Sequence, residues 1–305
     1  MNKIKYSTII NQTLPFVKNK GRMLDYFLIL NLFSNDDYEK EIVDELLKYQ
    51  NGDGGFGNGL EPDNQMPYSS TLATNIACDI IESLTTSSKF EIIKDIVLFF
   101  ESTYKEKTKS FDFVTKDIMN YPHAVWWNIE GIDNFGYLNP NPEVIGFLYK
   151  YRECLTKFNI DELKNYMVDY IKDNITDCDQ EHSLYSIRRM INRMESYNGI
   201  CENLLLKQED KLIVTDEEKW KTYVGEPIKF IKDKDHPLYL KYEEYIWKNL
   251  GYTISSICDG VWYPNWQWYQ YNDVFENEVK YQWMGYITYE KLKLLKSFDL
   301  VDYDA

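Results

Sequence analysis

The chain has 305 residues, and its 49 aspartates and glutamates exceed its 34 lysines and arginines, so its formal net charge is −15. This excess of negative charge argues against nucleic acids and anionic membrane surfaces as partners. The length supplies ample material for a hydrophobic core, and no apolar run is long enough to predict a membrane-spanning helix.

The five cysteines are scattered along the chain, and none forms a CxxC pair. They are Cys78, Cys154, Cys178, Cys201 and Cys258. The N-terminal residues do not show the pattern of a secretory signal peptide. Together these features predict reduced thiols and a cytoplasmic location.

The first hundred residues show paired segments with helical spacing of apolar residues. Residues 6–17 and 23–33 are strongly apolar, and an amphipathic segment ends at residue 49. Two more helices are predicted at 72–84 and 90–104. Short connections between such segments are typical of helical hairpins, so we expect an all-helical protein.

A glycine-rich segment, QNGDGGFGNGLEPD at residues 50–63, interrupts the helical pattern and holds five of the 14 glycines. It carries three carboxylates, Asp53, Glu61 and Asp63. A loop of this length between helices is usually functional or disordered. Apolar residues and a proline at fixed points in the segment favour an ordered loop. Residues 69–71, Ser-Ser-Thr, predict the N-cap of the helix that follows.

Residues 105–140 have a different composition. Residues 110–114 predict a short strand, and the aromatic, turn-rich run NYPHAVWWN at 120–128 predicts a second elaborated loop. We expect that loop to lie on the same face as the glycine-rich segment. It carries His123, Trp126 and Trp127.

Helices resume after this loop. Asn141 is the predicted N-cap of the first of them, since a proline and a glutamate follow it. Thr288 is the predicted N-cap of the last helix. The predicted helices lie at 141–149, 161–175, 184–194, about 237–249 and 289–298.

A Trp-rich stretch at 259–271 predicts a second long loop, which carries Asp259, Trp262, Trp266 and Trp268. Its run DGVW repeats, in degenerate form, the GGF turn at 54–56. Weak repetition together with helical hairpins predicts stacked helix pairs.

The run LLKYQ at 46–50, followed by GDGGF at 52–56, resembles the repeat of the prenyltransferase and squalene-cyclase superfamily. In that repeat a helix ends in glutamine and a Gly-Gly-aromatic turn follows. A closer resemblance is to bacterial proteins called prenyltransferase-like. It rests on residues 57–63 with 69–73, 122–127, 139–143, and 259–262 through 283–285. The resemblance implies a single domain over residues 1–305, an α/α toroid of paired helices with the aromatic and glycine-rich loops at one end.

In a toroid of this kind the loops at one end converge on a central cavity, which defines the candidate site. The candidate catalytic residues are Asp53, Glu61, Asp63, His123 and Asp259. The candidate substrate-binding residues are Trp126, Trp127, Trp262, Trp266 and Trp268. Structural alternatives stand beside these roles: turn formation for Asp53 and Asp259, loop ordering for His123, and packing for the tryptophans.

Glu61 and Asp63 are the favoured catalytic pair, because a turn does not require a Leu-Glu-Pro-Asp run. We expect both to face one cavity with His123, Trp126, Trp262 and Trp266. Aromatic walls desolvate a carboxyl group and favour its protonated form, which suits it to proton donation.

Cys178 and His182 are four residues apart beside two aspartates and form a weak zinc hypothesis. The start of a solvated helix is the favoured interpretation, because the Asp-x-Cys zinc spacing of protein prenyltransferases is absent. No metal and no cofactor are predicted.

Three functions are compatible with these residues, all with a small-molecule ligand. The favoured one is a terpenoid-cyclase-like enzyme, which acts on an apolar, isoprenoid-like substrate by acid catalysis with aromatic stabilisation of cations. The Asp-x-Asp-Asp acid motif and an Asp-rich diphosphate-magnesium motif are both absent. The second is a carbohydrate-active enzyme with paired carboxylates and aromatic sugar platforms. The third is a non-catalytic binder of a small ligand.

Overall fold

The computed structural model describes residues 2–129, 137–194 and 199–304. The protein is mostly helical, with 62% helix and 4% strand, and the predicted all-helical class is confirmed. The chain divides into two compact units, which are described separately. Unit 1 contains residues 1–46 and 213–305, and unit 2 contains residues 47–212. The single domain over residues 1–305 stays a prediction.

The elements are numbered in chain order. The first half contains β1 (Ile4–Lys5), α1 (Tyr6–Thr8), α2 (Leu14–Lys20), α3 (Met23–Phe33), α4 (Glu39–Leu46), α5 (Thr71–Glu82), α6 (Lys89–Thr103) and α7 (Asn141–Lys150). The second half contains α8 (Ile160–Asn174), α9 (Glu181–Arg193), α10 (Ile200–Leu212), α11 (Pro227–Phe230), α12 (Tyr239–Ser255), α13 (Asn272–Val274), α14 (Lys280–Ser297) and β2 (Val301–Asp302). Within these ranges no helix combines the length and the apolar character that a bilayer crossing requires.

Unit 1 is built from two segments that are distant in sequence. Its strands β1 and β2 pair in parallel, with Ile4 opposite Val301. A π-helical segment, Ile9–Thr13, joins α1 to α2 without a break. Helix α3 packs against α2 and α4, and α14 packs against α2 and α3. The interface is apolar, since Leu24, Ile29 and Leu292 are fully buried.

A buried ion pair lies where α3 meets α14. Arg22 donates two hydrogen bonds of 2.8 Å to the two carboxylate oxygens of Asp25. Burial raises the pKa of Asp25, although Arg22 acts in the opposite direction. Gly285 makes room for this carboxylate, because a Cβ at that position would lie 2.6 Å from Oδ2.

Unit 2 is centred on α7, which packs against α5, α8 and α9. Its apolar contacts include Phe147 and Ile187, both fully buried. Helix α5 also packs against α6, and α10 packs against α8 and α9. Ser70 caps α5, because its side chain accepts a hydrogen bond from the backbone N–H of Ala73.

Charged side chains connect α5, α7 and α9 within unit 2, in an arrangement called here the α5–α7–α9 network. Arg193 donates 2.8 Å hydrogen bonds to Asp79 and Glu82, and a 2.9 Å bond to the backbone carbonyl of Glu143. Arg189 donates to the Glu143 carboxylate at 3.0 Å. Buried charges are retained at low cost only when they are paired in this way.

Several predicted elements differ from the observed ones. The last helix begins at Lys280, not at Thr288, whose buried hydroxyl accepts a hydrogen bond from the backbone N–H of Trp262. Asn141 is already helical, and Pro140 precedes it as the N-cap. Residues 110–114 form no strand and contribute only one isolated bridge, between Lys105 and Ser110. Helix α10 lies in a part of the chain for which the sequence predicted no helix with definite bounds, only helices alternating with loops.

Candidate functional site

The glycine-rich segment of unit 2 folds into an ordered turn that Asp53 organises. Its Oδ1 accepts hydrogen bonds from the backbone N–H of Gly55 at 3.0 Å and from the Ser69 hydroxyl at 2.7 Å. The side chain is exposed. This geometry is that of an Asx turn, so the contacts of Asp53 correspond to the structural alternative of its two interpretations.

The backbone at residues 56–57 packs closely against residues 67–70 of the same loop. The backbone N–H of Gly57 donates to the carbonyl of Tyr49 at 3.0 Å, and that of Ser70 donates to the carbonyl of Phe56 at 2.9 Å. A Cβ at Gly57 would overlap the carbonyl oxygens of Pro67 and Tyr68. Glycine is therefore required at residue 57 by space.

The two loops of unit 2 pair through their backbones. Ala124 donates to the carbonyl of Asp63 at 2.9 Å, and Gln65 donates to that of Pro122 at 3.0 Å. Asn64 and His123 thus face each other in an antiparallel bridge. In this non-hydrogen-bonded pair the two side chains leave the same face. The pairing places the loop that carries Glu61 and Asp63 against the loop that carries His123.

Glu61 and Asp63 are both buried, with 6% and 4% of their surface exposed. They lie on irregular backbone, where the N–H of Asn64 donates to the carbonyl of Glu61 at 3.0 Å. Two carboxylates within three residues of a buried loop are unusual, because each buried charge is costly unless it is stabilised locally. These two acids are the buried members of the predicted acid set.

His123 is almost completely buried, and both of its ring nitrogens contact its own loop. Nδ1 donates to the carbonyl of Tyr121 at 2.6 Å, and Nε2 lies 2.7 Å from the side-chain oxygen of Asn128. These contacts fix the ring and order residues 121–128. They correspond to the loop-ordering interpretation of His123.

The two tryptophans of this loop differ in environment. Trp126 is 38% exposed. Trp127 stacks on Phe113 with ring centroids 4.9 Å apart, and it packs against a core of Met66, Phe113, Val114 and Ile118. Trp127 therefore contributes to packing, whereas Trp126 presents its ring at the surface.

A cavity of about 210 Å³ lies elsewhere in unit 2. It is lined by Ser69, Ser70, Thr71, Phe99, Thr103, Asp112, Val114 and Thr115. None of the predicted catalytic or binding residues is part of this lining. Asp53 is linked to this lining by its hydrogen bond from Ser69.

In unit 1, Asp259 and Gly260 form the tip of a tight hairpin turn. Cys258 and Val261 exchange two backbone hydrogen bonds of 3.0 Å. The φ angles of Asp259 and Gly260 are 53° and 78°, as in the type I′ turn that Asp-Gly favours. Asp259 is exposed, so its observed contacts correspond to the turn-forming alternative.

The three tryptophans that follow have different contacts. Trp262 is buried, and its indole N–H donates to the carbonyl of Thr253 at 2.8 Å. Trp268 is buried with its ring centroid 5.9 Å from that of Phe275. Trp266 makes edge-on contacts to Tyr223 and Trp283 at 5.9 Å and 5.0 Å. Trp262 and Trp268 are packed residues, and Trp266 belongs to a wider aromatic group.

The predicted site residues therefore belong to two sets. In unit 2, backbone pairing joins the loop that carries Glu61 and Asp63 to the loop that carries His123. Asp259, Trp262, Trp266 and Trp268 belong to unit 1. Their placement around one shared cavity stays a prediction.

Sequence reasoning did not single out Lys291, whose ammonium lies 5.6 Å from the centre of the Trp262 ring. Burial lowers the pKa of Lys291 to about 8; nearby Glu226 raises it, and Lys229 lowers it further. A signal for this lysine exists in the sequence. It lies three residues after Thr288 and four before Leu295, both fully buried, so helical spacing puts it on the buried face of its helix.

The α5–α7–α9 network was also missed. Its acids and arginines occur at helical spacing, as Asp79 with Glu82 and as Arg189 with Arg193. Each pair therefore shares a face of its helix. Which helix provides the partner charges cannot be read from that spacing.

No family model, no curated protein and no solved structure matches the chain. Across the described ranges there is no group of three or more histidine, cysteine, aspartate or glutamate side chains arranged to hold a metal ion. The five cysteines are free thiols.

Proposed function

We propose that the protein is a terpenoid-cyclase-like enzyme that acts on a small apolar, isoprenoid-like substrate, with Glu61 and Asp63 as its proton-transferring groups. The observation that supports it is the burial of these two carboxylates on one irregular loop. The substrate class comes from the resemblance to the squalene-cyclase repeat. The α/α toroid and the cytoplasmic location are part of the same proposal.

Burial of two acids on one loop carries a free-energy cost. Removing a carboxylate from water costs several kcal/mol unless it is paired or protonated. A turn does not require a Leu-Glu-Pro-Asp run. Pro62 fixes its own φ angle and restricts the backbone of Glu61. A desolvated carboxyl group favours its protonated form, which an acid catalyst requires.

The contacts of the other predicted catalytic residues reduce the set of candidate proton-transferring groups. Asp53 and Asp259 are exposed turn residues, and His123 is engaged by its own loop. We therefore assign His123 a positioning role, in which it holds the loop that pairs with residues 63–65. Proton transfer is assigned to Glu61 and Asp63 alone.

The test uses the full chain with Glu61→Gln, Asp63→Asn and a matched control, Glu106→Gln. Glu106 is an exposed acid of the same unit. The probes are squalene and farnesyl diphosphate, with products identified by gas chromatography and mass spectrometry. Removing a general acid typically lowers the rate by about 10²–10⁴-fold, so we expect that loss in both variants and none in the control.

Two results would contradict the proposal. One is wild-type turnover that survives in the Glu61→Gln, Asp63→Asn double variant. The other is the absence of turnover of either isoprenoid, together with hydrolysis of a p-nitrophenyl glycoside that depends on the same two acids. That second result would assign the pair to carbohydrate chemistry. Circular dichroism of each variant confirms that folding is retained.

A further inference from the structure

The candidate is a group of side chains in unit 1, called here the Lys291 cluster and defined by Tyr223, Glu226, Lys229, Trp262 and Lys291. Lys291 lies on α14 and is half-buried, with its ammonium over the face of the Trp262 ring. Within the described ranges, no hydrogen bond or ion pair joins this ammonium to another side chain. A lysine amine in this situation is incompletely solvated and also incompletely paired.

The charges around Lys291 are held by their own contacts. Glu226 attracts the ammonium, but its Oε2 accepts a 2.8 Å hydrogen bond from the buried amide of Asn249. Lys229 repels the ammonium and is held by a 2.7 Å bond to the carbonyl of Val224. It also lies 4.1 Å from the centre of the Tyr223 ring. Lys291 therefore lies over an aromatic face, with the acid Glu226 and the weaker influence of the cation Lys229 acting on its charge in opposite directions.

Burial against an aromatic face is a condition that activates a lysine as a nucleophile. A lysine in an apolar site, or next to another cation, loses its proton more readily and exposes the nitrogen lone pair. The depressed pKa of Lys291, about 8, has burial as its main cause and agrees with this geometry.

Two polar groups next to the cluster have no hydrogen-bond partner among the described residues. They are the hydroxyl of Thr253, a residue only 1% exposed, and the buried indole N–H of Trp266. The backbone carbonyl of Thr253 accepts the hydrogen bond of Trp262, and the ring of Trp266 contacts Tyr223. Buried donors without partners are costly, and a ligand oxygen that accepted their hydrogen bonds would remove this cost.

We propose that Lys291 is a nucleophilic amine that binds an aldehyde or ketone with an aromatic or apolar body as an imine. The nitrogen lone pair attacks the carbonyl carbon, and the π electrons move to the oxygen, which takes up a proton. The resulting carbinolamine loses its hydroxyl group as water, while the nitrogen gives up its remaining proton. Amine and carbonyl thus give imine and water, with no oxidant or reductant. The site uses unit 1 alone and is independent of Glu61 and Asp63.

The probe is benzaldehyde, whose flat ring matches the Trp262 face, with sodium cyanoborohydride to reduce the imine. Hydride adds to the imine carbon and a proton to the nitrogen, which leaves a stable benzyl-lysine. The full chain is labelled at pH 7.5, digested and mapped by mass spectrometry. Lys293 is the matched internal control, because it is an exposed lysine of the same helix with its ammonium 5.7 Å from the Tyr289 ring centre.

We expect Lys291 to be labelled at least about tenfold faster than Lys293, since a larger fraction of its amine is uncharged at this pH. Lys291→Arg should remove that fast phase, and Lys293→Arg should leave it intact. Benzyl alcohol, which has the same ring without the carbonyl, should protect weakly and form no adduct. Labelling of Lys291 at the rate of Lys293 or more slowly would overturn the proposal, as would a fast phase that survives Lys291→Arg in protein with an unchanged circular dichroism spectrum.

Discussion

Burial of a single side chain changes the protonation of Lys291. Its pKa falls from 10.5 to about 8, with burial as the main cause. Between these two values the unfolded chain binds a proton that the folded chain does not, so stability increases with pH in this window. Below pH 8 the charged amine therefore lowers the free energy of unfolding by its full amount. The penalty declines as the pH rises through 8 and is absent above 10.5.

Lys291→Met should stabilise the protein at pH 6.5 by about 1–2 kcal/mol, because it removes a charge that burial disfavours. That corresponds to a Tm increase of roughly 2–6 °C. The increase should shrink between pH 8 and pH 10. Thermal unfolding at pH 6.5, 8 and 10 measures it, with Lys293→Met as the exposed control. A Tm difference that is independent of pH would show that the charge is not responsible.

Space is the constraint at Gly57, where a Cβ would overlap two backbone carbonyl oxygens. Gly57→Ala should destabilise the protein by about 1–3 kcal/mol or more, because backbone atoms cannot move away as a flexible side chain does. Gly52 is the matched control, since nothing lies within 4 Å of a Cβ placed there. Gly52→Ala should be neutral or stabilising by up to about 1 kcal/mol. Equal urea midpoints for the two variants would contradict this account of the loop.

Helix packing brings together charges that are far apart in sequence. Burial raises the pKa of Glu143, although Arg189 and Arg193 act against it. Burial acts to lower the pKa of Arg193, but Asp79 and Glu82 outweigh it and the net shift is upward. The α5–α7–α9 network is thus mutually stabilised, and Arg193 shares its acidic partners with Arg189, which pairs with Asp79, and with Lys150, which pairs with Glu82.

Arg193→Met should cost about 1–3 kcal/mol, because Glu82 and the backbone carbonyl of Glu143 lose a charged hydrogen-bond donor in a largely buried position. Arg152→Met is the matched control: Arg152 is exposed, donates to the carbonyl of Tyr149 and lies 5.0 Å from the centre of that residue's ring, so its loss should change stability by no more than about 0.5 kcal/mol. Urea unfolding followed by circular dichroism measures both. If Arg193→Met behaves like the control, the network contributes little to stability.

Apolar periodicity was sufficient to predict most helices, and the predicted helix at 23–33 agrees with α3. The pattern failed for α10, which mixes apolar and charged residues without a clear stripe. It also failed for α14, because Thr288 has the chemistry of an N-cap but lies buried inside the helix. The partners of the network could not be predicted, since Arg193 and Asp79 are 114 positions apart. The glycines next to Asp53 and Asp259 in the sequence already indicated the turns in which these two residues are observed.

The whole molecule combines one continuous unit with one discontinuous unit. Unit 2 is formed by residues 47–212, whereas unit 1 needs residues from both sides of that segment. Two contacts of unit 1 show this separation. Ile4 pairs with Val301, and the hydroxyl of Thr13 donates to the carbonyl of Gly260 at 2.5 Å. Contacts of such long sequence separation form slowly, because closing the intervening loop costs conformational entropy.

The parallel pairing of residues 4–5 with 301–302 has a consequence for synthesis on the ribosome. Unit 2 has all its residues once position 212 has left the exit tunnel. The first 46 residues must wait until α14 and β2 emerge. At about 5–20 residues per second, that wait is roughly 10–50 s. During this interval the surfaces of α2 and α3 that pack against α14 stay exposed to water.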